Sequence, residues 1–236
     1  MTARSLAGAC LISLIASDWS IAAQRVPDEV EATLRKAREE IRDFDKAGGK
    51  KDDPNHPVEK WVPKLWAIHE KSSRTPDAAK AASEAVHLLI HADRFQKAQA
   101  LADQLTPDDP AWESLPQFLF EAASLQKDFT YLLKKLQAVL PNAPEPKAQA
   151  AMQLGLGRGW RAKTDDERAK AAFQAAIELA RDSTAGRQAE TELYELLHLA
   201  SGQPAPQFST SAVNGSPISL ADYRGKPLVL VFWDTT

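Results

Sequence analysis

Apolar residues recur every three or four positions through most of this chain, and prolines divide the pattern into segments. The first segment runs from Pro27 to Ala47, with Val30, Leu34, Ala37, Ile41 and Phe44 on one face, and Gly48-Gly49 closes it. A polar loop follows to Pro57. The second helix carries Trp61, Leu65, Trp66 and Ile68. The third opens at Thr75-Pro76, a capping residue followed by proline at the first helical position, and carries Ala78, Ala82, Ala85, Val86, Leu89 and Ile90. A fourth covers about Asp93 to Leu105. Asp109-Pro110 starts a fifth, in which Pro116 predicts a kink or a late start. Asp128 caps a sixth that ends at Leu140-Pro141. Thr164-Asp165-Asp166-Glu167 reads as a capping box ahead of Ala169, Ala172, Phe173 and Ala176, and a last helix spans about Ala185 to Ala200. The predicted fold class is therefore mainly α.

Ala, Leu, Glu, Lys, Arg and Gln dominate this body, and each favours helix by a small amount that adds along a segment. Helix pairs with small residues where they cross are the material of helical repeats. Ala150 to Leu179 is similar to one tetratricopeptide-type unit, with Leu154-Gly155 and Trp160 in its first helix and Ala169, Phe173 and Ala176 in its second. A second such pair is read at Ala78 to Leu105. The alternative is an irregular helical bundle.

The pattern changes after Ser201-Gly202. Two short strands, Ser209 to Val213 and Pro217 to Ser219, flank an Asn214-Gly215 turn. Ser219 to Lys226 reads as a helical turn closed by Gly225. Beyond Pro227, Leu228 to Trp233 is a continuous apolar run that suits a strand buried on both faces. The N-terminus differs again. Leu6 to Ala16 has the length of a signal-peptide apolar core, behind the single positive charge of Arg4 and ahead of small residues at Ala22-Ala23. It is too short for a stable membrane span. The expected organisation is a signal peptide at 1–23, a helical domain at 24–200 and a third segment at 201–236, with export to the periplasm or cell envelope.

Composition narrows the chemistry. The chain has 236 residues, with Lys+Arg 29 against Asp+Glu 32 and a net charge of -3. That balance offers no electrostatic footprint for nucleic acid. The single cysteine, Cys10, excludes an internal disulfide, a CxxC pair and any multi-cysteine zinc site within these residues. It also falls inside the proposed signal peptide, and the Ala7-Gly8-Ala9-Cys10 stretch sits too early to be a lipoprotein box.

Within the helical body, His87 and His91 stand four apart on one helix, a spacing that can bring two imidazoles to one metal. No third ligand is apparent in the sequence. Glu84 lies one turn earlier, but the pattern is not HExxH, so the expectation is two partly exposed or hydrogen-bonded histidines, with no metal and no cofactor. Trp61, Trp66, Trp112 and Trp160 are read as core. Gly155, Gly157 and Gly159 follow no strand and precede no Gly-Lys-Ser/Thr, so they are read as close helix contacts or a helix break.

Residues 202 to 236 carry a family resemblance. Gly202, Pro204-Ala205-Pro206 and Phe208, Asn214-Gly215, Ile218-Ser219-Leu220, Asp222-Tyr223-Arg224-Gly225-Lys226 and Leu228 to Trp233 resemble the opening of a redoxin domain of the thioredoxin-like superfamily. The similarity is greatest to TlpA-type thiol–disulfide oxidoreductases and less to peroxiredoxins of the alkyl hydroperoxide reductase (AhpC/TSA) class. It covers about the last 35 residues. The resemblance implies that Phe232, Trp233, Asp234, Thr235 and Thr236 lead up to the reactive cysteine, which would follow Thr236. Peroxiredoxins usually have Phe-Tyr-Pro where Phe232-Trp233-Asp234 stands. The residues in hand would thus supply the leading strand without nucleophile or resolving thiol, and would be inactive alone. For the intact protein the resemblance implies a protein or small-molecule disulfide or peroxide as substrate, with the helical domain free to dock a protein partner. The alternative is a non-enzymatic interaction module whose redoxin segment is vestigial.

Overall fold

In the computed structural model, the described residues are 15–72, 74–199 and 203–231. They contain nine α-helices and one two-stranded sheet: α1 Ile15–Lys46, α2 Val58–Lys71, α3 Pro76–His91, α4 Phe95–Gln104, α5 Leu115–Gln126, α6 Thr130–Val139, α7 Pro146–Ala162, α8 Asp166–Ala180, α9 Thr184–His198, β1 Ser209–Ser211 and β2 Pro217–Ser219. The fold is mainly α. Two compact units divide the chain, residues 1–190 and 191–236, so the boundary falls within α9.

Most helix boundaries follow the chemistry of their ends. Thr75 accepts the Ala78 N–H at 3.2 Å and caps α3, with Pro76 in its first turn. Asp109 accepts the Ala111 N–H at 2.9 Å and starts a short 3-10 turn, Pro110–Glu113. Pro116 accordingly falls at the start of α5, where its missing N–H costs nothing. Several starts differ from the sequence reading: α4 begins at Phe95, and α6 begins at Thr130 with Phe129 rather than Asp128 at the N-cap, although Asp128 Oδ1 accepts the Thr130 N–H at 2.9 Å. The cap of α8 is Asp165, which accepts the Arg168 N–H at 3.1 Å, while Thr164 turns the chain in the left-handed region at φ 58°. Helix α1, described from Ile15, runs through Pro27, because a long helix can absorb the hydrogen bond that one proline removes. Its C-terminus closes as expected: Gly48 has φ 81°, and the Gly49 N–H returns to the Phe44 carbonyl at 3.0 Å. Residues 1–14 of the expected signal peptide, Cys10 included, lie outside the described residues.

The core of the first unit is one connected apolar cluster. It joins Val30, Leu34 and Ala37 of α1 to Leu65, Val86 and Ile90 of α2 and α3, and reaches Trp112, Leu115, Leu132, Leu136 and Met152. Trp61, Trp66 and Trp112 are buried and Trp160 packs at the edge. The Trp112 Nε1–H donates to the Thr106 carbonyl at 2.9 Å, which satisfies the indole. No helix among the described residues is long and apolar enough to cross a membrane.

Helix α7 packs on α5, α6, α8 and the Pro110–Glu113 turn. Its glycines make this possible. A Cβ on Gly155 would stand 2.8 Å from Leu136 Cδ1, one on Gly159 would stand 2.9 Å from Leu133 Cδ2, and one on Gly157 would meet Phe173 Cδ1 at 2.5 Å. Gly155 and Gly159, four apart, therefore admit α6, and Gly157 admits α8. The chain reverses between α7 and α8 at Lys163 to Asp165, and the Arg168 guanidinium lies 3.7 Å from the centre of the Trp160 ring across that reversal.

In the second unit, β1 and β2 pair antiparallel in the register Ser209↔Ser219, Thr210↔Ile218, Ser211↔Pro217. Asn214-Gly215 occupies the turn, but not as a two-residue loop. The Gly215 N–H donates to the Ala212 carbonyl, only Gly215 has positive φ (82°), and the Ala212 N–H donates to the Ser216 carbonyl. This is a three-residue loop whose last residue is left-handed. Ser219 and Asp222 then form a reciprocal capping box around the 3-10 turn Leu220–Tyr223, and Gly225 closes it at φ 78°. The expected strand at Leu228 to Trp233 is not formed at 228–231. Those residues are exposed, Val229 to 83% and Val231 to 75%, and pair with neither β1 nor β2.

Gly157→Ala tests the close approach of α7 and α8. The substitution gains about 1 kcal/mol of helix propensity, yet overpacking against Phe173 should leave a net loss of about 1–3 kcal/mol in urea unfolding. In a double-mutant cycle, Phe173→Leu should cost less in the Gly157→Ala background than alone.

Candidate functional site

The residues that the redoxin resemblance places before a reactive cysteine, Phe232, Trp233, Asp234, Thr235 and Thr236, lie outside the described residues. No cysteine occurs among the described residues, so no thiol nucleophile is held anywhere in them. Among the described residues, the hairpin and capping box at 209–223 hold no cysteine or histidine. The side-chain chemistry of the described fold is concentrated on α3 and the elements packed against it.

His87 and His91 occupy successive turns at the polar edge of α3, with ring centroids 4.3 Å apart. The other face of the same helix buries Ala82, Ala85, Val86, Leu89 and Ile90, which fixes the azimuth of both histidines. Packing of α3 on α5 brings Glu121 and Phe118 to them. The His87 ring stacks on Phe118 at 4.1 Å with an interplanar angle of 18°. Its Nε2 lies 3.5 Å from Glu121 Oε2, and its Nδ1 lies 3.8 Å from Glu84 Oε2. One donor atom each from His87, His91 and Glu121 falls within 4.8 Å of the other two. His87 is partly buried and His91 exposed, and a third candidate ligand joins them. It was missed because Glu121 is 30 or more positions away and nothing in the local pattern marks it.

Glu84 is partly buried, and its carboxyl is held below the usual carboxylate range, first by the His87 imidazole and then by Arg38, whose guanidinium lies 3.1 Å away; burial opposes both. Glu84 is therefore an anion at neutral pH. A cavity of about 500 Å³ opens beside it, lined by Arg38, Ile41, His56, Val58, His87 and His91 among others. His56 sits in its wall with its Nδ1 accepting the Val58 N–H at 3.3 Å. Burial, the leading cause, lowers its pKa and keeps it neutral.

No family model, curated protein or solved structure matches this chain. Chemical roles here therefore rest on geometry and on the residues themselves.

A second polar pair is buried deeper. His69 Nδ1 lies 3.3 Å from the Ala78 carbonyl, which can only accept, so Nδ1 donates. Its Nε2 faces Asp109 Oδ2 at 3.3 Å, with both side chains nearly inaccessible to solvent. One proton must lie between Nε2 and the carboxyl. Burial raises the Asp109 pKa in keeping with this shared proton. Among the described residues, no Ser, Thr or Cys hydroxyl or thiol is bonded to this pair, which instead ties α2, the start of α3 and the Pro110–Glu113 turn together. It is a structural dyad.

The dyad makes opposite demands on two variants. Asp109→Asn keeps an acceptor for the Ala111 N–H and supplies an amide donor to Nε2, so thermal unfolding should move by less than about 1 kcal/mol; Asp109→Ala should lose about 2–3 kcal/mol. A carboxyl with raised folded pKa contributes fully below its unfolded pKa and loses that contribution as pH rises through the folded value. Asp109→Asn should therefore gain relative to the unsubstituted chain as the unfolding buffer moves from pH 3 to pH 7.

Proposed function

We propose that these residues are the helical domain and the opening of a thioredoxin-like domain in an exported thiol–disulfide oxidoreductase of the TlpA type. The observation that carries this reading is the exposed run Leu228–Val231. A hairpin, a capped 3-10 turn and a left-handed Gly225 deliver it in succession, and its composition suits a strand covered on both faces. An apolar run of this kind is stable when a parallel sheet flanks it. The motif residues of the resemblance fall on those turns: Asn214-Gly215 in the hairpin loop, Ser219 and Asp222 in the capping box, Gly225 at the closing turn.

The chemistry of that family needs a thiolate whose pKa is lowered at a helix N-terminus, and a second thiol to resolve the mixed disulfide. Neither is present among the described residues. In the intact protein, the run 228–233 would be the strand that places the first cysteine directly after Thr236, and the helical unit would dock a partner or a second subunit. The substrate would be a protein or small-molecule disulfide.

The coding sequence past the Thr236 codon tests the proposal. A frame continuing with Cys-x-x-Cys is expected; a stop codon there would overturn it, and a lone cysteine without its resolving partner would favour the peroxidase chemistry of the alkyl hydroperoxide reductase class. For the full frame, insulin-disulfide reduction should be lost when the first cysteine is changed to Ser. N-terminal sequencing of the secreted protein should begin near Gln24, and an uncleaved Met1 would contradict export by signal peptide.

A further inference from the structure

We propose that His87, His91 and Glu121 form a binding site for one divalent transition-metal ion of the zinc type, with Glu84 as the positioning residue for His87. The inference is independent of the redoxin reading, since all four residues lie in the helical unit.

The donor set is two imidazoles and one carboxylate, which suits Zn²⁺ and neighbouring first-row ions better than Ca²⁺ or Mg²⁺, whose ligands are oxygens. The three donor atoms already lie within 4.8 Å of one another. Bonds of about 2.1 Å in a tetrahedral site require donor separations of about 3.4 Å. The remaining closure is small. His91 is exposed, and the Glu121 side chain retains 38% of its accessible surface, so rotations of these two side chains suffice without moving α3 or α5.

His87 is the fixed member of the set. Phe118 stacks on its ring, and its two nitrogens face different carboxylates: Nε2 toward Glu121 and Nδ1 toward Glu84. A metal-bound imidazole commonly directs its second nitrogen at a carboxylate, which sets the tautomer and raises ligand basicity. Glu84 stands on that side, with its Oε2 3.8 Å from Nδ1. Of the cations lining the neighbouring cavity, Arg38 pairs with Glu84 at 3.1 Å, and Lys51 with Asp93 at 3.2 Å. Three protein ligands would leave the fourth position for water, on the exposed His91 side.

The test is a ZnCl₂ titration of the full chain, carrying no histidine tag and stripped with chelator, read by competition with a chromophoric chelator. One Zn²⁺ per chain is expected. His91→Ala and His87→Ala should each weaken binding at least 10-fold, and Glu121→Gln and Glu84→Gln about 10-fold. Glu84→Gln should keep the stoichiometry at one, which separates positioning from ligation, and the visible spectrum of bound Co²⁺ should change with Glu121→Gln. His198→Ala, at an exposed histidine far along the sequence, should leave affinity unchanged. Because His91 is exposed, its variant keeps the fold, which far-UV circular dichroism verifies. Absence of stoichiometric Zn²⁺, or an affinity undiminished in His91→Ala, overturns the assignment.

Discussion

The close approach of α7 to its neighbours is the constraint on which the helical unit depends. Three alternate glycines, Gly155, Gly157 and Gly159, give α7 two bare surfaces at once: Gly155 and Gly159 receive Leu136 and Leu133 of α6, and Gly157 receives Phe173 of α8. Glycine inside a helix costs about 1 kcal/mol per residue against alanine. Three of them would leave an isolated segment marginal. The cost is offset by burial of Phe173, Leu132, Leu136 and Met152, all fully or almost fully removed from solvent around α7. Helix and packing are therefore mutually dependent here: α7 persists because its partners cover it, and they can cover it because it lacks Cβ atoms at those points.

The same unit manages polar groups in two distinct ways. In the interior, His69 and Asp109 share a proton and satisfy the Ala78 carbonyl and the Ala111 N–H, so that neither is left with an unpaired donor or acceptor. At the edge of α3, Glu84, His87, His91 and Glu121 gather where two helices converge but solvent still reaches. Exposed ion pairs such as Arg42–Asp43 and Arg74–Asp108 contribute little by comparison, because water screens them. This cluster combines a His87 ring held by stacking on Phe118 with solvent access at His91, two properties that ligation requires.

The C-terminal segment obeys local rules. Gly215 and Gly225 supply the left-handed positions, Ser219 and Asp222 cap each other, and three residue pairs hold the hairpin. Each of these interactions spans fewer than about a dozen residues, so it forms without a core. The run at 228–231 has the opposite requirement. A strand covered on both faces is stabilised by neighbours in the sheet and by helices on either side, and sequence-local bonds cannot substitute for them.

The amino-acid sequence by itself determined the helical segments, the prolines that start them, and the apolar face that each turns inward, since these follow from a 3.6-residue period and from hydrogen bonds between near neighbours. Thr75, Asp109 and Gly48 could be read as punctuation for that reason. It placed the α8 cap one residue early, because Thr164 and Asp165 have the same capping chemistry and only the geometry of the reversal after α7 separates them. It identified His87 and His91 as a pair but left them without a third partner. What only the tertiary structure decided was which helices meet: Glu121 against His87, Asp109 against His69, Phe173 against Gly157. Such contacts depend on the crossing of whole helices, and a helix presents many residues of suitable chemistry along its length. Periodicity fixes the face a side chain occupies, whereas the packing of one face on another fixes its partner.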